Sequence, residues 1–250
     1  MIFPIGDDNS DRGTTPLVNY VLIAINVLVF VFAQGLGSND QFTYAWATVP
    51  QEIVTNTDIA RNVPLGVDPA TNRPVSIPLQ PIPVSVYFTL FTSMFMHGGF
   101  MHLFGNMLYL WIFGDNLEDR LGHVRYLVFY LVCGVIASLS HVLMNTDSFI
   151  PSLGASGAIS GVLGGYMLLF PRRQVRVIMM RMLTTVPAYV ALGIWILFQF
   201  LEGYMNRGAA GGGVAYAAHI GGFIAGLLLI KIFAIGRGGG SAASRVARPF

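Results

Sequence analysis

The sequence predicts an all-α, polytopic membrane protein built as a bundle of six transmembrane helices. Hydrophobic residues make up 54% of the 250 residues and charged residues only 10%, and the mean hydropathy is +0.63. A soluble domain carries roughly 25% charged residues. Because one transmembrane helix needs about 20 apolar residues, the chain has room for several spans joined by short connections, and little room for a soluble domain.

The composition also narrows the partners and cofactors. A formal net charge of +2 is too small to suggest a nucleic acid partner. Cys133 is the single cysteine and lies in an apolar run, which leaves no disulfide framework and no cysteine-based metal site. The sequence therefore implies no cofactor and no metal, and the partner that it implies is the lipid bilayer.

The N-terminal part of the chain predicts a tail, one span and a loop. Residues 1–16 carry three aspartates against one arginine, unlike the basic start of a signal peptide, and are expected to form a short cytoplasmic N-terminus. The first span is predicted from Leu17 to Gln34, with Asn19 and Asn26 two turns apart and facing other helices. Residues 35–85 contain seven prolines and are too polar to span, so they predict a large outer loop.

The remaining spans follow from the apolar runs. Residues 84–114 are longer than one span requires and contain a His-Gly-Gly interruption, so Val86 to Met96 is predicted to dip into the interface and Gly98 to Gly114 to form the second span. Residues 236–250 are rich in glycine and predict a flexible cytoplasmic tail after a six-helix domain at 17–235. The other four spans are predicted at Tyr126 to Met144, Phe149 or Ser156 to Phe170, Val186 to Tyr204, and Val214 to Ile235.

The basic residues predict the orientation. With both termini in the cytoplasm, eleven of the 14 lysines and arginines fall on the inner side, and only Arg61, Arg73 and Arg207 fall on the outer side. Loops that are rich in Lys and Arg stay in the cytoplasm. The chain is therefore expected in the cell (inner) membrane, multi-pass, with both termini cytoplasmic.

Four polar residues are predicted to lie at one depth in the outer half of the membrane. Ser156 and His219 are 14 and 16 residues from the inner ends of their spans, so they lie roughly 21 and 24 Å above those ends. His102 and Asn106, four residues apart, share one face of the outer part of the second span. Alone, each has a simpler explanation as an interhelical hydrogen-bond partner, but their convergence favours a site.

Small residues near Ser156 have two explanations. Spaced glycines on a membrane helix form a ridge for close helix packing, which by itself would explain the motif. The same ridge would let the fourth and sixth spans approach closely enough for a short serine hydroxyl to reach an imidazole. The glycines concerned are Gly157, Gly161 and Gly165 on the fourth span, and Gly222 and Gly226 on the sixth.

The chemistry that these groups suit is acyl transfer. Ser156 would attack a carbonyl carbon, and His219 would take its proton and return it to the leaving amine. His102 and Asn106 would donate hydrogen bonds to the oxyanion, together with backbone N–H groups near the serine. No acidic residue lies at the same depth to orient the histidine, so the sequence predicts a Ser-His dyad. Ser160 is a rival hydroxyl one turn deeper.

These motifs resemble the rhomboid intramembrane serine proteases of the prokaryotic, six-span type. The resemblance rests on Gly154-Ala155-Ser156-Gly157, on His102 with Asn106, and on Ala218-His219 followed by Gly222 and Gly226, and it covers nearly the whole chain. It implies Ser156 as the nucleophile, His219 as the base, and His102 and Asn106 in the oxyanion hole. It also implies structural roles for His97 and for residues 114–122, which include Glu118 and Arg120.

The expected function is therefore a serine endopeptidase that cleaves single-span or multi-span membrane proteins near the outer face, with the glycine-rich residues 206–213 as a lid. Some relatives carry an aromatic residue four positions after the nucleophile, where this chain has Ser160, so a stacking partner for His219 is lost.

Two other hypotheses are an inactive relative that escorts membrane proteins, and a transporter that uses His97, His102 and His219. A transporter would more typically carry intramembrane carboxylates or paired repeats, which the sequence lacks.

Overall fold

The fold is a helical bundle, described by a computed structural model over residues 2–67, 71–205 and 215–236. The predicted lid at 206–213 and all but the first residue of the predicted tail lie outside these residues. In chain order the α-helices are α1 (Leu17–Leu28), α2 (Asp40–Trp46), α3 (Pro50–Thr55), α4 (Thr89–Thr92), α5 (Phe100–Leu121), α6 (His123–Met144), α7 (Ser156–Leu169), α8 (Ala188–Met205) and α9 (Tyr216–Phe233).

Six of these helices, α1 and α5 to α9, correspond to the six predicted spans. Within the described residues, α6, α8 and α9 are long and apolar enough to cross a membrane by themselves. A π-helical turn, Val29–Ala33, lengthens α1, and that helix and α7 are apolar but shorter. The protein is an integral membrane protein, mostly helical as predicted, and the count of six spans stays a prediction.

Two small sheets were not predicted. Strands β1 (Ile2–Asp7), β4 (Gln174–Met179) and β5 (Met182–Pro187) form an antiparallel sheet in the order β1-β4-β5. Strands β2 (Asn62–Val67) and β3 (Pro74–Pro78) form a hairpin within the large loop. Part of the expected N-terminal tail is therefore a strand, and Val186 belongs to β5 rather than to a span.

The segment predicted to dip into the interface is also more regular than expected. Residues 86–95 form a 3₁₀ turn, the short helix α4 and a second 3₁₀ turn, and the helix α5 begins after the two glycines at 98 and 99. The prediction ended the second span at Gly114, but α5 continues to Leu121. Two charged residues in its last turns, Asp115 and Glu118, can be buried because each has a partner from the N-terminal part of the chain.

Glu118 is the main partner at this end of α5. It is fully buried, and its carboxylate accepts hydrogen bonds from the backbone N–H groups of Val18 at 2.9 Å and Asn19 at 2.7 Å. The first N–H groups of a helix have no partner within the helix and favour a negative charge. Glu118 therefore caps α1, in line with the structural role that the family resemblance implied for it.

The two asparagines of α1 behave differently. The Asn19 side chain donates to the carbonyl of Leu110 at 2.9 Å and accepts from the Tyr126 hydroxyl at 2.7 Å, so it joins α1 to α5 and α6 as predicted. Asn26 is equally buried, but its side chain donates to the carbonyl of Leu22 in its own helix.

The helices α7 and α9 approach more closely than side chains would permit. A Cβ added to Gly226 would lie 2.0 Å from the carbonyl oxygen of Gly161, and one added to Gly222 would lie 2.2 Å from that of Gly157. The predicted glycine contact between the fourth and sixth spans is therefore confirmed. Only residues without side chains allow this backbone separation.

Asp7 fixes strand β1 to the inner end of the bundle. Its Oδ2 accepts from the Tyr166 hydroxyl on α7 at 2.5 Å and from Asn116 Nδ2 on α5 at 2.8 Å. Burial is the largest influence on this carboxyl group and raises its pKa from 3.8 to about 6, although the Tyr166 hydrogen bond acts in the opposite direction.

The raised pKa of Asp7 predicts a pH dependence of stability. Between about pH 4 and pH 6 the folded chain holds a proton on Asp7 that the unfolded chain has released, so stability falls as the pH rises through this window. Asp7→Asn keeps an acceptor but cannot ionise. We expect a smaller fall in melting temperature from pH 4 to pH 6 in this variant than in the wild type.

Asp8 provides the matched control for that measurement. It is exposed, and hydrogen bonds from Ser10 lower its pKa, so its contribution has the opposite sign. Asp8→Asn should therefore leave the fall in stability in place. Equal pH slopes in the wild type and in Asp7→Asn would contradict the account.

Candidate active site

Ser156 is the first residue of α7, where the polar segment before it becomes an apolar helix. Gly154, two residues earlier, has a φ of +128°, in the region that favours glycine, and its N–H donates to the carbonyl of Ser93 at 2.9 Å. This turn brings the half-buried serine to a helix start, where backbone N–H groups are free.

His219 lies in the first turn of α9, and the structure brings it to Ser156. The Nε2 of His219 is 2.8 Å from the Ser156 hydroxyl oxygen, which is hydrogen-bonding distance. The glycine contacts described above lie next to this pair, since Gly157 follows the serine and Gly222 is three residues after the histidine. The predicted approach of the two side chains is therefore found in the structure.

The rival hydroxyl of Ser160 is engaged elsewhere. It is fully buried, and it donates to the carbonyl oxygen of Ser156 at 2.6 Å. A serine that bonds back to the residue four positions earlier points along its own helix. Ser160 therefore serves the backbone of α7, one turn below the Ser156 hydroxyl.

His102 and Asn106 line the other side of the serine loop. A Cβ added to Gly154 would lie 2.9 Å from the Nε2 of His102 and 3.7 Å from the Nδ2 of Asn106. The N–H of Gly98 lies 3.3 Å from the Nδ1 of His102 and donates to it, so the ring proton is on Nε2, facing Gly154. The Nδ2 of Asn106 is buried and has no partner among the described residues. Two donors thus border the serine loop.

His97 lies behind these groups. Its ring is fully buried and meets the ring of His102 edge to face, with centroids 5.1 Å apart. Its backbone N–H donates to Gln34 Oε1 at 2.9 Å, and its carbonyl accepts from Gln34 Nε2 at 3.0 Å. His97 therefore anchors the end of the first helix and supports His102, in line with the structural role implied for it.

Two residues of α8 that the sequence reasoning missed contact His219. The Oε1 of Gln199 is 2.6 Å from the Nδ1 of His219. The ring of Trp195 lies 5.9 Å from the imidazole, tilted by 35°. Neither residue is acidic, so the expectation of a carboxylate beside the histidine did not point to them. The signal that could have found Gln199 is a polar residue inside an apolar span, as for Asn106.

A small cavity of about 20 Å³ lies beside the serine, and a cavity of this size has room for about one water molecule. Small residues dominate its lining, including Ser93, Gly134, Ser138, Ser152 and Ala218. Within residues 2–67, 71–205 and 215–236, no group of three or more His, Cys, Asp or Glu side chains is placed to hold a metal ion.

The fold and the site together define the class: a helical membrane protein that holds a serine beside a histidine within its bundle. Comparison with known proteins identifies the family. Residues 85–235, more than half of the chain, match the family model described as Rhomboid domain. The chain belongs to the rhomboid family.

Three relatives illustrate the range of similarity. Rhomboid protein 1, mitochondrial, of Saccharomyces cerevisiae is 35% identical over 156 residues, which cover 60% of this chain and 43% of that protein. The putative rhomboid protease YdcA of Bacillus subtilis is 29% identical over 145 residues, 57% of this chain and 65% of that protein. The presenilin-associated rhomboid-like protein, mitochondrial, of Homo sapiens is 31% identical over 137 residues, 51% and 36% of the two chains. The chain thus spans less than two thirds of the length of each.

Proposed function

We propose that this protein is an intramembrane serine endopeptidase that cleaves transmembrane segments of other membrane proteins near their outer ends. The observation that carries the proposal is the 2.8 Å contact between the Ser156 hydroxyl and the Nε2 of His219 within the helical bundle. Rhomboid membership supports the same activity, because one of the relatives is named as a putative protease.

The proposed reaction is acyl transfer in two stages. His219 accepts the hydroxyl proton of Ser156 as the oxygen attacks the peptide carbonyl, and it then gives this proton to the leaving amine. An acyl group remains on Ser156. Water, deprotonated by His219, attacks the acyl carbon, and the serine leaves with the proton returned to it. The cavity beside Ser156 has room for the attacking water.

The negative charge that develops on the carbonyl oxygen needs donors that are already oriented. We propose that His102 and Asn106 supply them, with the backbone N–H groups at the start of α7. The support is the Nδ2 of Asn106, a buried donor beside the serine loop for which the described part of the chain offers no partner. Leaving a buried donor unpaired costs about 1–3 kcal/mol, a cost that an oxyanion would offset.

The substrate in this proposal is a membrane protein whose helix unwinds locally. A helical backbone hides its carbonyls in hydrogen bonds, so a cleavable segment should contain small or helix-breaking residues. The cavity beside Ser156 fits this expectation, because most of its lining residues are serine, alanine or glycine and few bulky side chains crowd the serine. No nucleic acid and no cofactor enter the proposal.

We also propose that the chain lies in a cell inner membrane with both termini in the cytoplasm, which places Ser156 nearer the outer face. The support is the distribution of Lys and Arg, eleven against three. A reporter that works only outside the cytoplasm should be inactive when fused to either terminus and active when inserted in the loop at 35–85. Activity at a terminus would overturn the orientation.

The roles of the dyad predict the outcome of a serine-directed probe. A fluorophosphonate should label the wild type at Ser156, and Ser156→Ala should lose both labelling and proteolysis while keeping its melting temperature. His219→Ala should lose activity to a similar degree, because members of one catalytic unit are not additive. Ser160→Ala is the matched control and should keep activity, since its hydroxyl is bonded to the backbone of α7.

The same set of variants tests the oxyanion donors. Asn106→Ala should lower kcat by about 10- to 1000-fold, the range for one oxyanion donor, with little loss of melting temperature. Labelled peptide that maps to Ser160, or proteolysis that survives in Ser156→Ala, would overturn the nucleophile. An unlabelled wild type that still binds membrane proteins would favour the escort function instead.

A further inference from the structure

In the outer half of α8 a polar residue is buried and the apolar residues are exposed. After Leu192, Gln199 is the single buried residue of this helix, whereas its apolar neighbours Phe198, Phe200 and Leu201 are exposed. A buried amide without a partner is unfavourable. The partner here is the Nδ1 of His219, at 2.6 Å. This half of α8 is therefore held to the bundle by a polar contact on His219.

That contact decides which ring nitrogen carries the proton. An amide oxygen can only accept, so with the Oε1 of Gln199 facing Nδ1 the imidazole proton must be on Nδ1. The Nε2 of His219 then presents its lone pair to the Ser156 hydroxyl, 2.8 Å away. This is the tautomer that a general base needs.

We propose that Gln199 is the positioning residue of the dyad, which orients the imidazole of His219 and fixes its tautomer. The inference rests on the proposed function. In it, an amide takes the place at which serine hydrolases commonly carry a carboxylate. It orients the ring and fixes the tautomer without adding a negative charge to the interior of the membrane, where charge is costly.

Trp195 is a second residue of α8 that helps to position His219. It lies one turn before Gln199, so both side chains project from one face of α8. Its ring packs against the imidazole of His219 and against Phe223 of α9, with the latter centroids 6.2 Å apart. The aromatic contact with His219 that Ser160 cannot supply thus comes from α8. Among the described residues, the other titratable groups that act on His219 are His102 and His141, and neither carries a carboxylate.

The test uses the full-length protein in detergent and two substitutions of Gln199. Gln199→Met keeps the length of the side chain but removes the acceptor, and we expect kcat to fall by about 10- to 100-fold. This loss is smaller than the roughly 10⁴-fold of an enforced wrong tautomer, because a neutral imidazole still visits the productive form. KM should change by less than about 3-fold, since substrate contacts are unaffected.

Gln199→Glu distinguishes a positioning role from a merely structural one, because only a positioning role would change the pH profile of kcat/KM. A carboxylate keeps the acceptor and holds the imidazolium proton more strongly, so activity should be retained at alkaline pH while the acidic limb of the pH profile of kcat/KM moves to higher pH. Leu201→Ala, an exposed change on the same helix, is the control and should match the wild type in rate and profile.

A direct measurement of the tautomer needs no change at Gln199. In protein labelled with ¹⁵N-histidine, the signal that disappears in His219→Ala should show a protonated Nδ1 and an unprotonated Nε2. A protonated Nε2, or a Gln199→Met variant with the kcat of the wild type, would overturn the inference. An unlabelled, inactive wild type would instead refute the proposed function, so the two failures are distinguishable.

Discussion

The structure depends on the close approach of α7 and α9. Gly161 and Gly226 bring the two backbones together, and Gly157 and Gly222 repeat the contact one turn higher. A serine side chain is short, so its hydroxyl can reach an imidazole on another helix only if the helices are nearly in backbone contact. The same glycines therefore allow both the packing of α7 on α9 and the contact between Ser156 and His219.

Several polar groups inside the bundle are paired across different helices. Glu118 caps α1, Asn19 joins α5 and α6, and Gln199 ties α8 to α9. Lipid offers no hydrogen bonds, so each of these contacts replaces one that water would make elsewhere. Five buried side-chain atoms of the described residues have no hydrogen-bond partner, and one of them, the Nδ2 of Asn106, is a donor beside the serine loop. An unpaired donor at that position is what stabilisation of an oxyanion requires.

Much of the fold could be predicted from the sequence, because apolar length alone locates membrane helices. The ends of the helices could not, since α5 continues past Gly114 only because Glu118 has partners at the start of α1. Strand β1 was missed because its partner, β4, lies about 170 residues away along the chain, and six residues carry little pattern.

The site was predictable where depth and spacing were informative. The levels of Ser156 and His219 predicted that the two side chains meet, and the structure has them 2.8 Å apart, although their catalytic roles remain proposals. Depth could not indicate which residue orients the histidine. Gln199 and Trp195 lie on a helix whose rotation about its axis is not encoded in hydropathy, so only the packed bundle reveals them.

The most direct test of this account is to separate α7 from α9 without touching the dyad. In Gly226→Ala the added methyl group would lie 2.0 Å from the carbonyl oxygen of Gly161, so the helices must move apart by about one ångström. Labelling of Ser156 by a fluorophosphonate should then slow by about 10²-fold in protein that remains folded, the cost of such a misplacement. Gly193→Ala on α8, where nothing lies within 4 Å, should label like the wild type. Unchanged labelling in folded Gly226→Ala would contradict the claim that glycine packing creates the site.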